Sequence, residues 1–199
     1  MNERDLVFIG GGHTHVLVLR MLAMKPIPNV RLTLISDSCL TPYSGMLPGF
    51  ISGHYSKAQT HIDLNKLTRA AQVRFIHGSV IGLDLERKRI RIENHPDIEY
   101  DKVSIDVGST PNLTLPGAKE FAVGVKPISQ LTAAWAELLA HDYHGKTPHW
   151  AIVGAGAAGV EITLAIAHRF AEQHKPIHLS LVQSGSDLLA GYQRGVQKR

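Results

Sequence analysis

The sequence predicts an α/β chain of two successive units, each opened by an apolar strand that runs through a glycine turn into a helix. Three observations carry this. Leu6-Val7-Phe8-Ile9 runs into Gly10-Gly11-Gly12 and then into the apolar helical pattern His13-Thr14-His15-Val16-Leu17-Val18-Leu19. The same order returns 144 residues later, with Gly10 laid on Gly154, as Trp150-Ala151-Ile152-Val153-Gly154-Ala155-Gly156-Ala157-Ala158-Gly159-Val160-Glu161. Between the two lie alternating runs that read as an antiparallel meander.

In such a turn one glycine makes the bend, a second lets the backbone approach a pyrophosphate, and the free N–H groups opening the helix face the anion. Gly10 and Gly12 hold these places in the first copy. Gly154 and Gly156 hold them in the second, where Gly159 completes G-x-G-x-x-G. His15 stands where the first copy would have its third glycine, so that motif is weak alone. A glycine turn without a ligand explains one copy well and two copies poorly. Two cradles imply two dinucleotides.

Composition sets the class. Of 199 residues 44% are hydrophobic and 19% charged, which describes an ordinary globule with a packed core. The net charge of +4 comes from scattered Lys and Arg, with one local cluster at residues 86–91 whose alternation suits a solvated hairpin. Nucleic-acid binding is therefore not expected. A single cysteine, Cys39, rules out an internal disulfide or a redox dithiol and agrees with a reducing cytoplasm. The charged start Met1-Asn2-Glu3-Arg4-Asp5 leads straight into a strand, and no apolar run approaches the ~20 residues of a membrane span. A cytoplasmic location is expected.

The first strand, about Asp5 to Ile9, is an unbroken apolar run, as in a parallel strand covered on both faces. Its helix ends near Lys25, because Pro26 and Pro28 forbid continuation. Arg31 to Asp37 is the second parallel strand. Asp37 follows Gly12 by 25 residues, near the place where an acid binds a ribose hydroxyl, and Ser36 competes for that role. From Ser38 to Thr60 no periodicity is visible. A structureless segment of this length is expected to have a function, either as an aromatic and apolar wall against a flat ring or, more blandly, as a surface Ω-loop. His61 to Ala71 reads as a helix with Asp63 as cap, and Val73 to Gly78 as a third parallel strand. The meander runs are Val80 to Leu85, Arg89 to Glu93 and Ile98 to Tyr100. Asp101 to Pro111 is the next buried strand, ending in a glycine turn expected beside the first cradle.

Pro127 to Ala140 is a helix with Pro at its N-terminus and an apolar stripe that serves the core. His141 to Pro148, polar and closed by Gly and Pro, marks the boundary between units 1–145 and 146–199. A second βαβ follows: strand to Val153, helix to about Glu172, strand Ile177 to Gln183. Two strands and one helix cannot cover both sheet faces, so the second unit reads as incomplete and the chain as a fragment, for which self-association through the open sheet or partial disorder is expected, together with a lack of oxidase activity in the isolated chain.

This order of motifs, with the Pro42-Tyr43-Ser44-Gly45-Met46-Leu47-Pro48-Gly49 loop and the Tyr100-Asp101…Asp106-Val107-Gly108-Ser109-Thr110-Pro111 run, resembles the two-dinucleotide-binding-domain flavoproteins of the pyridine nucleotide-disulfide oxidoreductase superfamily. The Gly-Gly-Gly-His-Thr-His start and the Tyr-Ser-Gly-Met-Leu-Pro-Gly loop look most like type II NADH dehydrogenase-like FAD proteins associated with selenide, water dikinase. The resemblance implies a Rossmann-like FAD-binding domain with a meander, followed by the start of a Rossmann-like NAD(P)-binding domain. It places Gly10, Gly12, His13 and Thr14 at the FAD pyrophosphate, Ser36 or Asp37 at its ribose and Val80 by the adenine. Gly108 and Ser109 match the second flavin-contacting turn, and Gly154, Gly156 and Gly159 the NADH or NADPH pyrophosphate turn. Gln183 stands where an acid would take the NADH ribose. Lys126 sits where related proteins bring a lysine toward the flavin; simple solvation is the alternative. Glu161 reaches toward nicotinamide or merely favours the helix dipole.

No catalytic residue and no metal site are assigned. His13 and His15, two apart, share no helix face; His13 is expected near phosphate and His15 packed against a strand. Two readings follow. In the first, NAD(P)H reduces the flavin and the electrons pass to a quinone or other acceptor. In the second, a non-enzymatic module senses redox state and docks a selenophosphate synthetase-like partner. Sulfide:quinone reductase-like chemistry through Cys39 and a peripheral membrane partner are lesser alternatives.

Overall fold

A computed structural model describes residues 3–189 and 191–197. In chain order its elements are β1 (Arg4–Ile9), α1 (His13–Met24), β2 (Val30–Ser36), β3 (Leu40–Pro42), a 3-10 turn (Ser44–Met46), α2 (Leu47–Ser52), α3 (Lys57–Thr60), β4 (His61–Asp63), α4 (Leu64–Ala70) and β5 (Arg74–His77). There follow β6 (Val80–Asp84), β7 (Arg89–Ile92), β8 (His95–Glu99), β9 (Lys102–Ile105), α5 (Ala118–Phe121), α6 (Ile128–Ala140), β10 (His149–Val153), α7 (Ala157–Glu172), β11 (His178–Val182) and α8 (Arg194–Gln197). They form two compact units. One takes residues up to 44 together with 61–131; the other takes 45–60 together with residues from 132 onward.

The first unit is built on a parallel sheet in the order β5-β2-β1-β9. Alternate side chains of each strand point to opposite faces. On one face Phe8, Leu32 and Leu34 pack with Val16, Leu19 and Leu22 of α1 and Leu64 of α4. On the other, Val7, Ile9, Ile35 and Ile76 pack with Ile90, Ile92 and Tyr100 of the meander. Both faces being covered is the reason β1 reads as an apolar run, Leu6 to Ile9, without alternation. Each fully buried Leu or Ile of this double core contributes roughly 1.5–3 kcal/mol. At the start of the sheet Asp5 and Arg31 are register partners and share two hydrogen bonds of 2.6 and 2.7 Å. Those bonds and the carboxylate's charge hold the exposed guanidinium above its ordinary pKa.

The expected fold class holds, with four local corrections. The segment 38–60, expected to lack regular structure, contains β3, paired antiparallel with β4, and the short helices α2 and α3. Pieces of three to six residues are too short to display a period. Pro48 sits in the first turn of α2, where its missing N–H costs nothing, and Gly53 at φ +91° closes the helix in the left-handed region. Secondly, β4 takes residues 61–63, so the helix starts at Leu64; Asp63 caps it as expected, accepting from the Lys66 amide at 3.1 Å. Thirdly, β8 begins at His95 and includes Pro96, which falls in the gap between the expected runs ending at Glu93 and starting at Ile98. It is an edge strand of the β6-β7-β8 sheet, where proline is tolerated. Finally, β9 ends at Ile105, and residues 106–111 leave the sheet.

The second unit carries β10 and β11 in parallel register from His149↔His178 to Val153↔Val182. Buried Ile162, Ala165, Ile166 and Phe170 line α7, and α2 packs on that helix, with Gly53 against the Arg169 guanidinium. Trp150 stands edge-on between Trp135 and Phe170, at 5.8 and 5.3 Å between ring centres, and its indole N–H donates to the Tyr143 hydroxyl at 3.0 Å. Among the described residues no helix is long and apolar enough to cross a membrane.

Candidate functional site: two glycine turns

The first turn is held from both sides. Gly10 has φ +90°, donates to the Ile35 carbonyl at 2.8 Å, and lies so close to the Asp106 carbonyl that no side chain fits. The Gly12 amide donates to that same carbonyl at 3.1 Å. The end of β9 therefore does lie beside the first cradle. What the sequence did not foresee is the side chain of Asp106. Its Oδ2 accepts from the amides of Thr14 at 2.9 Å and His15 at 3.3 Å, and a Cβ on Gly12 would fall on its carboxyl group. Two of the helix N–H groups expected to be free already meet an anion belonging to the protein. The amides of Gly11 and His13 meet no acceptor among the described residues.

His13 is exposed and stacks on Tyr43, ring centres 4.5 Å apart. His15 is 2% exposed, with Nδ1 donating to the Gly10 carbonyl at 2.7 Å, Nε2 paired with the Ser104 hydroxyl at 2.9 Å, and its ring edge-on to Phe8. It is a core residue, as expected. Ser36 is buried and its hydroxyl accepts from the Ser38 amide at 3.3 Å. Asp37 carries an exposed side chain just past the strand, while its carbonyl accepts from His77 at 3.0 Å. Val80 opens β6 and packs partly buried on the meander-side core. Gly108 has φ +75° with open space beside it, and the Ser109 hydroxyl accepts from Lys126 Nζ at 3.1 Å. The fold thus joins two expected flavin-side residues that lie seventeen apart in sequence.

In the second turn Gly154 has φ +106° and donates to the Val182 carbonyl at 2.8 Å. Gly159 sits against the Gly154 carbonyl, leaving no room for a Cβ. Gly156 differs from both. Its φ of −74° suits any residue, and nothing lies within 4 Å of where its Cβ would be. Gln183 is half-buried one residue past β11, Glu161 is exposed on α7, and the Leu189 amide returns to the Ala155 carbonyl at 3.1 Å. Cys39 is half-buried, and among the described residues no three His, Cys, Asp or Glu side chains converge.

The missed residue, Asp106, had one signal in the sequence: an acid inside the apolar run Val103-Ser104-Ile105-Asp106-Val107.

Comparison with known proteins bears on the whole chain. Residues 4–199 match the family described as pyridine nucleotide-disulphide oxidoreductase. The chain is 25% identical over 183 residues to ferroptosis suppressor protein 1 of Xenopus tropicalis, covering 89% of this chain and 46% of that protein. Its fold is similar to that of NDH2 from Plasmodium falciparum solved in complex with NADH, at TM-score 0.79 and 21% identity, over 99% of this chain and 45% of that one. It is similar also to the sulfide:quinone oxidoreductase of Aquifex aeolicus, at TM-score 0.73 and 18% identity, over 93% and 44% of the two chains. The chain spans about half the length of these relatives.

Proposed function

Because the chain belongs to the pyridine nucleotide-disulphide oxidoreductase family, we propose that it supplies the FAD-binding part and the nucleotide turn of an NAD(P)H-dependent flavoprotein oxidoreductase. The observation that carries this is Gly156. Gly154 is a glycine because of its φ and Gly159 because of the carbonyl it touches, but neither backbone nor packing requires a glycine at 156. Open space against a bare backbone at a helix N-terminus suits the close approach of a pyrophosphate.

The residues present fit both groups. Gly11 and His13 offer unmatched amides at the first turn, His13 and Tyr43 offer a stacked polar rim, and Asp37, exposed at the end of β2, is better placed than buried Ser36 to bind a ribose hydroxyl. At the flavin side Ser109 holds the Lys126 ammonium by a hydrogen bond, which fixes a positive charge near the Gly108 turn. Bound at these residues, FAD would supply two-electron chemistry between NAD(P)H and an acceptor such as a quinone. The chain contributes binding, orientation and fixed charge. Gln183 carries no charge to repel a 2′-phosphate, which supports weak discrimination between NADH and NADPH. The likeness to ferroptosis suppressor protein 1 and NDH2 favours this reading over docking to a selenophosphate synthetase-like partner, for which only the motif resemblance speaks.

Purification tests the proposal. Protein that retains or takes up FAD stoichiometrically, and whose flavin absorbance bleaches on adding NADH or NADPH, is the expected result; protein that takes up no flavin on reconstitution overturns it.

A further inference from the structure

The carboxylate on the first glycine turn is the least expected group in the molecule. The Asp106 amide donates to the Ile9 carbonyl at 2.8 Å and its carbonyl accepts from Gly12 at 3.1 Å, so its backbone is fixed between β1 and the turn. Its side chain is only partly exposed and ends on the amides of Thr14 and His15. Among the described residues no Lys, Arg or His lies within ion-pair distance of it. Its sole partners are thus the groups of a twelve-residue helix that are suited to hold a phosphate. Gly12, the glycine whose absence of a side chain normally admits a ligand, here admits this carboxyl group.

We propose that Asp106 is an internal anion that competes with a dinucleotide pyrophosphate for the N-terminus of α1, so that filling the first turn requires its carboxylate to give up the Thr14 and His15 amides. An apolar or small residue at this position would leave those amides open. With Asp106 the Thr14 and His15 amides, which would otherwise lack partners as amides opening a helix do, are already satisfied, and a phosphate approaching them meets both an occupied donor pair and a like charge. Asp106 is in this sense a positioning residue that lowers affinity for phosphate-bearing ligands and stabilises the ligand-free turn. The proposal rests on the assignment of FAD to the first turn.

The test compares the full 199-residue chain with Asp106→Asn, which keeps the shape and one acceptor oxygen, and Asp106→Glu, which keeps the charge. Dissociation constants are measured by flavin fluorescence for FAD and by calorimetry for ADP and adenosine. Asp106→Asn is expected to bind FAD and ADP about tenfold more tightly, a change of about 1.4 kcal/mol, and adenosine unchanged. Asp106→Glu is expected to match or fall below the original affinity. Circular dichroism confirms that each variant is folded. Hydrogen exchange at the Thr14 and His15 amides gives a second readout, slow without ligand in the original protein and faster in a third variant, Asp106→Ala. If FAD binds and Asp106→Asn binds it equally or less tightly, the competition is overturned while the flavin assignment stands. If neither protein binds FAD or ADP, both fall together.

Discussion

Replacing His15 by glycine would restore the third glycine of the motif, yet the structure says it will weaken the protein. The imidazole is 2% exposed and bonds at both nitrogens, to the Gly10 carbonyl at 2.7 Å and the Ser104 hydroxyl at 2.9 Å. Losing the two hydrogen bonds costs about 1 kcal/mol each. Removing the ring from between Phe8 and β9 adds about 1–2 kcal/mol of lost packing and cavity. Glycine rather than histidine within α1 adds roughly 0.5 kcal/mol. The sum, about 3.5–4.5 kcal/mol, is a large fraction of the roughly 5–15 kcal/mol that holds a typical domain. Urea unfolding followed by far-ultraviolet circular dichroism should show a clear fall in midpoint with little change in slope. Ser104→Ala alone should cost about 1 kcal/mol and should cost almost nothing on the His15→Gly background, since the partner is already gone. A His15→Gly midpoint equal to or above the original would refute the reasoning. It would mean that the turn prefers the close approach a glycine allows over the bonds the imidazole makes.

The second turn makes a paired prediction. Gly156→Ala should leave the thermal midpoint unchanged and weaken NADH binding in a titration, whereas Gly159→Ala, forced against the Gly154 carbonyl, should destabilise the second unit by about 1–3 kcal/mol in the same melt. Gln183→Glu should raise the preference for NADH over NADPH, read as the ratio of their dissociation constants; an unchanged ratio removes Gln183 from the ribose. Arg31→Ala, which breaks an exposed pair, should leave the urea midpoint essentially unchanged despite its short hydrogen bonds.

Sequence and structure agree most where a local rule acts over many residues. The strands β1, β2 and β5, the helices α1 and α7, and both glycine turns follow from apolar runs, proline stops and glycine spacing. Agreement fails where the cause is distant or brief. Asp106 acts on residues more than ninety positions away, and nothing near it in sequence announces a helix N-terminus. α2 and α3 run for six and four residues, less than two helical turns, so no apolar stripe can form. Pro96 falls outside the expected strand runs because the sequence does not say which strand will be an edge. Ser36 and Asp37, indistinguishable as ribose partners by spacing, are separated only by burial.

The allotment of residues 45–60 to the second unit has a consequence for how the protein is made. Leu47 and Ile51 of α2 are buried in the finished molecule, and the helix that α2 packs on, α7, does not begin until residue 157. At about 5–20 residues per second on the ribosome, this helix waits on the order of ten seconds for its partner. Over the same interval β1 lacks β9, its neighbour on one side, until residues 102–105 emerge. During synthesis the N-terminal half therefore shows an unpaired strand edge and an uncovered apolar turn at once, and that interval, rather than the melting of the finished fold, is where a chaperone has most to shield.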